Sequence, residues 1–80
     1  MKVPRDISGK EFLRALSRLG YVPVRQRGSH MTLTTQLNGE FHVAVPMHGE
    51  IKIGTLNNIL RELARHHGLT RDELIDQLEL

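Results

Sequence analysis

The residues best suited to chemistry lie in one short stretch, Arg25-Gln26-Arg27-Gly28-Ser29-His30. It combines two guanidinium groups, a flexible turn and an imidazole, which can take up or release a proton near neutral pH. In RNA, the 2′-hydroxyl attacks the adjacent phosphorus once a base removes its proton, and cations stabilise the phosphoryl charge. His30 could be that base, with Arg25, Arg27 or Lys52 as the electrostatic groups. An exposed strand histidine is more often an ordinary surface residue, so both interpretations stay open here.

Two further histidines lie on or beside predicted strands. His48 follows Pro46 at the end of a strand, and a junction of strand and loop combines rigid support with open access. It is therefore the second candidate for catalysis. His42 lies in the middle of the same strand on the side of Ala44, where it could share an open face with His30. The pattern gives His42 no defined role.

His66 and His67 lie near the end of a predicted helix. As adjacent residues they point in different directions, so they do not form the converging pair that a metal site usually needs. A cation at this position is favoured by the negative end of the helix dipole. We interpret both residues as structural or neutral. The chain has no cysteine, and we predict neither a metal site nor a cofactor.

The first predicted element is a helix that begins at Ser8 and ends at Gly20. Ser8 and Glu11 have the spacing of a capping box, in which each side chain binds the backbone N–H of the other residue. The residues expected to face the core are Phe12, Leu13, Leu16 and Leu19. The opposite face carries a basic stripe that could contact an RNA backbone or merely be solvated. This basic stripe consists of Lys10, Arg14 and Arg18.

The three strands that follow cover residues 21–27, 29–35 and 41–45. Pro23 marks the first as an edge strand, because proline has no N–H to donate to a neighbouring strand. Alternation in the second strand turns His30 to the face opposite Met31 and Leu33. Asn38-Gly39 signals the hairpin turn to the third strand. Together they predict an antiparallel sheet with one open face and one face covered by helices.

Two helices complete the pattern. Residues 50–53 form a connector to Gly54-Thr55, where the second helix is predicted to start, and Gly68 ends it. Thr70 and Glu73 form another capping box, which opens a short last helix. The apolar faces of the two helices consist of Leu56, Ile59, Leu60, Leu63, Leu74, Ile75 and Leu78. This order of elements predicts a two-layer α+β domain with a three-stranded sheet.

Composition limits the classes of function. The chain has 80 residues, 39% hydrophobic and 25% charged, which suits one small globular domain. No apolar run is long enough to span a membrane and the N-terminus lacks the apolar segment of a signal peptide, so we expect a cytoplasmic protein. Residues 1–35 carry a net charge of +5 and residues 36–80 carry −3. A basic half suggests a polyanionic ligand, although ordinary solubilising charge would look the same.

The start of the second helix is a further candidate site for phosphate. Free N–H groups at a helix start attract phosphate, and Lys52 lies just ahead of Gly54-Thr55. The alternative is that Gly54-Thr55 only caps the helix. The sequence is compatible with both.

Three short motifs, in their order and spacing, resemble the HicA family of bacterial toxins. They are Gly28-Ser29-His30, Val45-Pro46-Met47-His48 and Gly54-Thr55-Leu56. The likeness also includes Ser8-Gly9-Lys10-Glu11 and extends to about Gly68. We therefore predict a single HicA-like domain over residues 1–80, with residues 69–80 as a C-terminal helical extension. The role of that extension, as a core lid, an oligomer contact or an antitoxin contact, is open.

The resemblance implies a fold like a double-stranded RNA-binding domain, with the order α-β-β-β-α and a short extra helix. It also implies the toxin of a type II toxin–antitoxin system, a metal-independent endoribonuclease that cleaves mRNA and inhibits translation. The family's catalytic histidine corresponds to His30, with His48, Ser29 and Arg27 as candidates for catalytic support. The candidates for RNA binding are Lys10, Arg14, Arg18, Arg25, Lys52 and Thr55. The implied partner is a HicB antitoxin that covers the active site, and the two could form a higher-order complex.

Two other hypotheses remain at this stage. A non-catalytic module would bind structured RNA through the basic stripe and Lys52, with a salt-dependent affinity that survives the loss of His30. Alternatively, the surface mainly binds protein and is held by an antitoxin. An assay for RNA cleavage distinguishes the nuclease hypothesis, which predicts cleavage, from the RNA-binding and protein-binding hypotheses, which predict none.

Overall fold

The computed structural model describes residues 6–80; residues 1–5, which carry part of the predicted basic half, lie outside the described residues. The elements are α1 (Gly9–Leu16), a 3₁₀ turn (Ser17–Leu19), β1 (Val22–Arg27), β2 (His30–Thr35), β3 (Phe41–Pro46), α2 (Ile53–His67) and α3 (Arg71–Leu78). The strands form one antiparallel sheet in the order β1-β2-β3. The predicted α+β class and order of elements are confirmed, and Pro23 lies on an edge strand as expected.

The capping box predicted at the start of α1 is present. The Ser8 hydroxyl accepts a hydrogen bond from the Glu11 N–H at 3.1 Å, and the Glu11 carboxylate accepts one from the Ser8 N–H at 3.0 Å. These bonds favour the charged carboxylate and lower the pKa of Glu11. The α-helix ends earlier than predicted. The Ser17 hydroxyl donates to the Arg14 carbonyl at 2.6 Å, and the chain tightens into the 3₁₀ turn before Gly20.

β1 contains a bulge that shifts its register against β2. Pro23 lies opposite Leu33, whereas Arg25 lies opposite Thr32, so Val24 is an extra residue on β1. The pairing of β2 with β3 has no such shift. This bulge was not predicted from the sequence.

The bulge changes which residues near β1 can face the core. Tyr21 and Arg27 are an even number of residues apart, so a regular strand would place both side chains on one face. Because Val24 is extra, Tyr21 packs in the core while Arg27 borders the open face of the sheet. Because Val24 is an added residue, Tyr21 can be buried in the core while Arg25 and Arg27 are exposed on the opposite face of the sheet.

The helices cover the other face of the sheet, and α3 belongs to this cover. The buried side chains that form the hydrophobic core include Phe12, Leu16, Tyr21, Leu33, Val43, Val45, Leu56, Leu60, Leu63, Leu74, Ile75 and Leu78. Leu74 and Leu78 of α3 are fully buried. The role of the C-terminal helix was left open, and this burial shows that α3 acts as a lid on the core. β1 extends beyond the cover, since all six of its residues are exposed.

The predicted start of α2 at Gly54-Thr55 is wrong by one to two residues. The helix begins at Ile53, and Lys52 is its N-cap, with extended backbone and a carbonyl that accepts the Leu56 N–H at 2.9 Å. No side chain caps this end. Because the usual capping signal is missing, the sequence pointed instead to Thr55, which lies within the first turn.

His67 lies in the interior beside Tyr21. Its side chain is 9% exposed, and its Nε2 shares a hydrogen bond of 2.9 Å with the Tyr21 hydroxyl. Burial raises the pKa of Tyr21 to about 12, so this phenol stays protonated at neutral pH. Burial, and then the neighbouring His66, lower the pKa of His67. The structural role predicted for His67 is confirmed, but burial outweighs the helix dipole that was expected to favour its charged form.

His66 joins the end of α2 to the loop between β2 and β3. Its Nε2 lies 3.1 Å from the carbonyl oxygens of Leu37 and Gly39, so this nitrogen carries the proton and donates. The ring stacks on Phe41 with centroids 4.4 Å apart. The predicted structural role of His66 is therefore confirmed as well.

The lowered pKa of His67 predicts that the protein loses stability in acid. A histidine whose pKa is depressed by folding contributes stability above its unfolded value of 6.5, and that contribution is lost as pH falls through the folded pKa. Urea unfolding from about pH 8 to about pH 5 should show a steeper fall in the free energy of unfolding for the wild type than for His67→Gln, which cannot titrate. The exposed His42→Gln variant is the control, and parallel curves for wild type and His67→Gln would contradict the prediction.

Candidate active site

The open face of the sheet carries a shallow depression of about 490 Å³ between β1, β2 and β3. Its lining consists of Arg25, Arg27, His30, Thr32 and Ala44. The register explains this set, because residues paired across antiparallel strands share a face. Arg27 lies opposite His30, and Arg25 lies opposite Thr32. The small side chains of Thr32 and Ala44 leave room beside the two guanidinium groups and the imidazole.

The backbone around His30 is held on three sides. His30 pairs with Arg27 on β1 and with Pro46 on β3. The preceding turn has Gly28 in the left-handed region, with φ of 59°, and the Ser29 carbonyl accepts the Met47 N–H at 2.6 Å. The imidazole is thereby presented to solvent from a rigid position. The predicted direction of His30, away from Leu33 and the core, is confirmed.

His48 lies at the same end of the sheet as His30. It is exposed and follows β3 by two residues, and the last residue of that strand, Pro46, is the partner of His30. Ser29 lies in the turn, where its carbonyl anchors the chain. The structure therefore places His48 and Ser29 at the same end of the sheet as His30, in a loop and a turn rather than among the residues that line the depression.

His42 shares the open face with His30, as predicted. It lies opposite Thr34, two positions along β2 from Thr32, and its Nε2 is 2.9 Å from the Glu40 carboxylate. The His42 ring is therefore in contact with Glu40 at an exposed position, and it does not line the depression.

The basic stripe lies on the helix layer, apart from the depression. Lys10, Arg14 and Arg18 are exposed, while Phe12 and Leu16 on the other side of α1 are buried against the core. Arg18 also lies 3.3 Å from the carboxylate of Glu79, at the end of α3. The structure does not bring this stripe to the face that carries His30.

Lys52 and Thr55 also lie away from the depression. Both are exposed at the start of α2, and Lys52 borders a separate depression of about 320 Å³ together with Asp6 and Glu50. Two carboxylates beside this lysine oppose the binding of a phosphate. Within residues 6–80, no three His, Cys, Asp or Glu side chains come together in a way that could hold a metal ion.

Gly9 fixes the start of α1 against the end of β3. A Cβ atom at this position would lie 2.4 Å from the Pro46 carbonyl oxygen and 2.8 Å from the Met47 Cα. Only glycine permits this approach. Gly9 belongs to one of the motifs that carry the resemblance, but its role could not be predicted from the sequence, since it depends on a contact with residues far along the chain.

We expect Gly9→Ala to destabilise the fold by about 1–3 kcal/mol, because backbone atoms of Pro46 and Met47 would have to move. The loop that carries His48 would move with them. Gly54→Ala is a matched control, since Gly54 also lies in the first turn of a helix but has open space around its Cα. Urea unfolding of both variants tests the expectation, and equal stabilities would contradict it.

The fold and site define a small α+β protein with a basic, histidine-bearing open sheet face. The chain belongs to the HicA toxin family, because the model of that family, described as the HicA toxin of bacterial toxin–antitoxin systems, matches residues 9–64. The resemblance stated from the sequence is confirmed. No curated protein and no solved structure matches the chain. Across residues 6–80, no helix has the length and apolar character needed to cross a membrane.

Family membership supports the role of a toxin and implies a HicB-type antitoxin as its partner. The matched region ends within α2, so α3 lies outside it. The likeness to a double-stranded RNA-binding domain, the single-domain prediction and the roles of the site residues stay predictions.

Proposed function

We propose that this toxin is an endoribonuclease that cleaves mRNA without a metal ion and thereby inhibits translation. The observation that supports the proposal best is the arrangement on the open face. His30 is exposed at the rim of the depression, paired across the sheet with Arg27 and one row away from Arg25. An imidazole and two guanidinium groups on one accessible surface can supply the base and the charge stabilisation for metal-free phosphodiester cleavage.

In this proposal His30 removes the proton of a 2′-hydroxyl. The 2′-oxygen then forms a bond to the adjacent phosphorus, while the bond from phosphorus to the 5′-oxygen of the next nucleotide breaks. Arg27, with its permanent charge, stabilises the negative charge that develops on the phosphoryl oxygens. The leaving 5′-oxygen takes a proton, for which His48 at the same end of the sheet is the candidate donor. Ser29 supports the turn that holds His30.

The test compares RNA with DNA of the same sequence, incubated with the purified protein in the presence of a chelator. We expect cleavage of the RNA alone, with a cyclic phosphate at one product end, because the nucleophile is the 2′-hydroxyl. RNA that stays intact, or DNA that is cut as well, would contradict the proposed reaction. Cleavage that stops when chelator is added would contradict its independence of metal.

We further propose that a HicB-type antitoxin covers the open face, and that the toxin acts in the cytoplasm, where mRNA is found. Co-purification of an acidic partner that suppresses RNA cleavage would support this. Full activity of a partner-free protein at normal expression levels would count against it. We also propose that residues 1–80 form one domain, since α1, α2, α3, β2 and β3 contribute to one hydrophobic cluster.

A further inference from the structure

We propose that Arg25 and Arg27 bind two consecutive phosphates of an unpaired RNA strand that runs along β1. Arg27 binds the phosphate that is cleaved beside His30, and Arg25 binds its neighbour. The inference rests on the proposed nuclease function and specifies the class of substrate and the division of roles between the arginines.

The spacing of the two arginines supports this assignment. They lie two residues apart on β1 and border the same depression. Two residues of a strand span about 6.8 Å, which is comparable with the distance between neighbouring phosphates in an extended nucleic-acid chain. Arg27 lies in the row of His30, and Arg25 lies in the next row with Thr32 and Ala44. A strand that places one phosphate at Arg27 therefore carries the next one to Arg25.

The chemistry and the shape of the surface favour an unpaired strand. Attack by the 2′-oxygen requires this oxygen, the phosphorus and the leaving oxygen to approach a straight line, and a regular A-form duplex holds them far from it. Unpaired RNA is free to adopt that geometry. All six residues of β1 are exposed, so within residues 6–80 the fold leaves β1 accessible to an RNA strand. The other predicted RNA-binding cations lie away from the depression, so they do not extend this surface into a duplex site.

The bulge at Val24 strengthens the assignment. A regular strand that kept Tyr21 in the core would turn both arginines towards the helix layer. The extra residue returns both of them to the face of His30. Bulges beside active sites commonly aim side chains in this way.

The test measures binding of a single-stranded 2′-O-methyl RNA, which lacks the nucleophile and stays intact, at several salt concentrations. Each phosphate contact to a single strand contributes about 0.7 to the slope of log K against log salt. Arg25→Ala and Arg27→Ala should each reduce the slope by about 0.7 and weaken binding roughly tenfold. Arg25→Lys should restore the slope, because lysine keeps the charge. Arg61→Ala, an exposed arginine on α2, should change neither quantity.

Cleavage of unmodified RNA under single-turnover conditions separates the two roles. With protein in saturating excess, Arg27→Ala should lower the cleavage rate by roughly tenfold or more, and Arg25→Ala should lower it less than Arg27→Ala does. An unchanged salt slope in either alanine variant, or equal binding of a duplex of the same sequence, would overturn the inference. If the wild type binds but cleaves nothing, the nuclease proposal fails, and the salt slopes still decide whether the arginines bind phosphates.

Discussion

Replacing His30 by alanine is expected to lower the rate constant of RNA cleavage by about 100-fold to 10,000-fold, the usual contribution of a positioned general base. The imidazole is exposed at the start of β2, so its loss leaves the core untouched. Stability should change by no more than about 0.5 kcal/mol. The measurement is cleavage of a labelled RNA by purified wild type and variant, with urea unfolding to show that both are folded.

His42→Ala is the matched control for this experiment. His42 lies on the same open face and on the neighbouring strand, but its ring contacts Glu40 outside the depression. We expect it to retain wild-type cleavage. If His30→Ala cleaves as fast as the wild type while folded, His30 is not the base. If both variants lose activity equally, the effect belongs to the surface as a whole rather than to His30.

Leu74→Ala should strongly destabilise the fold. Leu74 is fully buried, and removing such a side chain costs about 2–5 kcal/mol through lost burial and the cavity left behind. Small domains have only about 5–15 kcal/mol of stability in total, so the change should leave a marginal fold. Urea unfolding followed by circular dichroism gives the difference directly.

Gln77→Ala provides the control on the same helix, because Gln77 is exposed. Its effect should stay within about 0.5 kcal/mol. A similarly small effect of Leu74→Ala would mean that α3 does not pack on the core in solution. That outcome would reopen the other roles considered for the C-terminal helix, as a contact with an antitoxin or with a second copy.

Much of the fold could be predicted because its signals are local. Each of the two capping boxes, at Ser8 and Thr70, depends on a pair of residues only three positions apart in the sequence, and both are present in the structure. The direction of His30 follows from the alternation of β2, a period that any regular strand obeys. The start of α2 could not be found this way, since Lys52 caps it without a side-chain hydrogen bond.

The remaining features depend on contacts between distant residues. The fit of Gly9 against Pro46 and the pairing of Tyr21 with His67 join parts of the chain that no local pattern relates. One feature of the sequence does indicate the bulge. Tyr21 suits the core and Arg27 suits solvent, yet a regular strand would give them one face. A conflict of this kind between two side chains of one strand is a usable sign of an extra residue.

The position of α3 in the sequence also governs the order in which a newly made chain becomes structured. Residues 25–30 leave the ribosome long before residues 71–78, and the latter supply Leu74, Ile75 and Leu78 to the core. Until then α2 and the 3₁₀ turn lack the helix that packs on them. The surface proposed to cut mRNA should therefore become rigid only after residues 71–78 have left the ribosome, which delays the toxin's activity during synthesis.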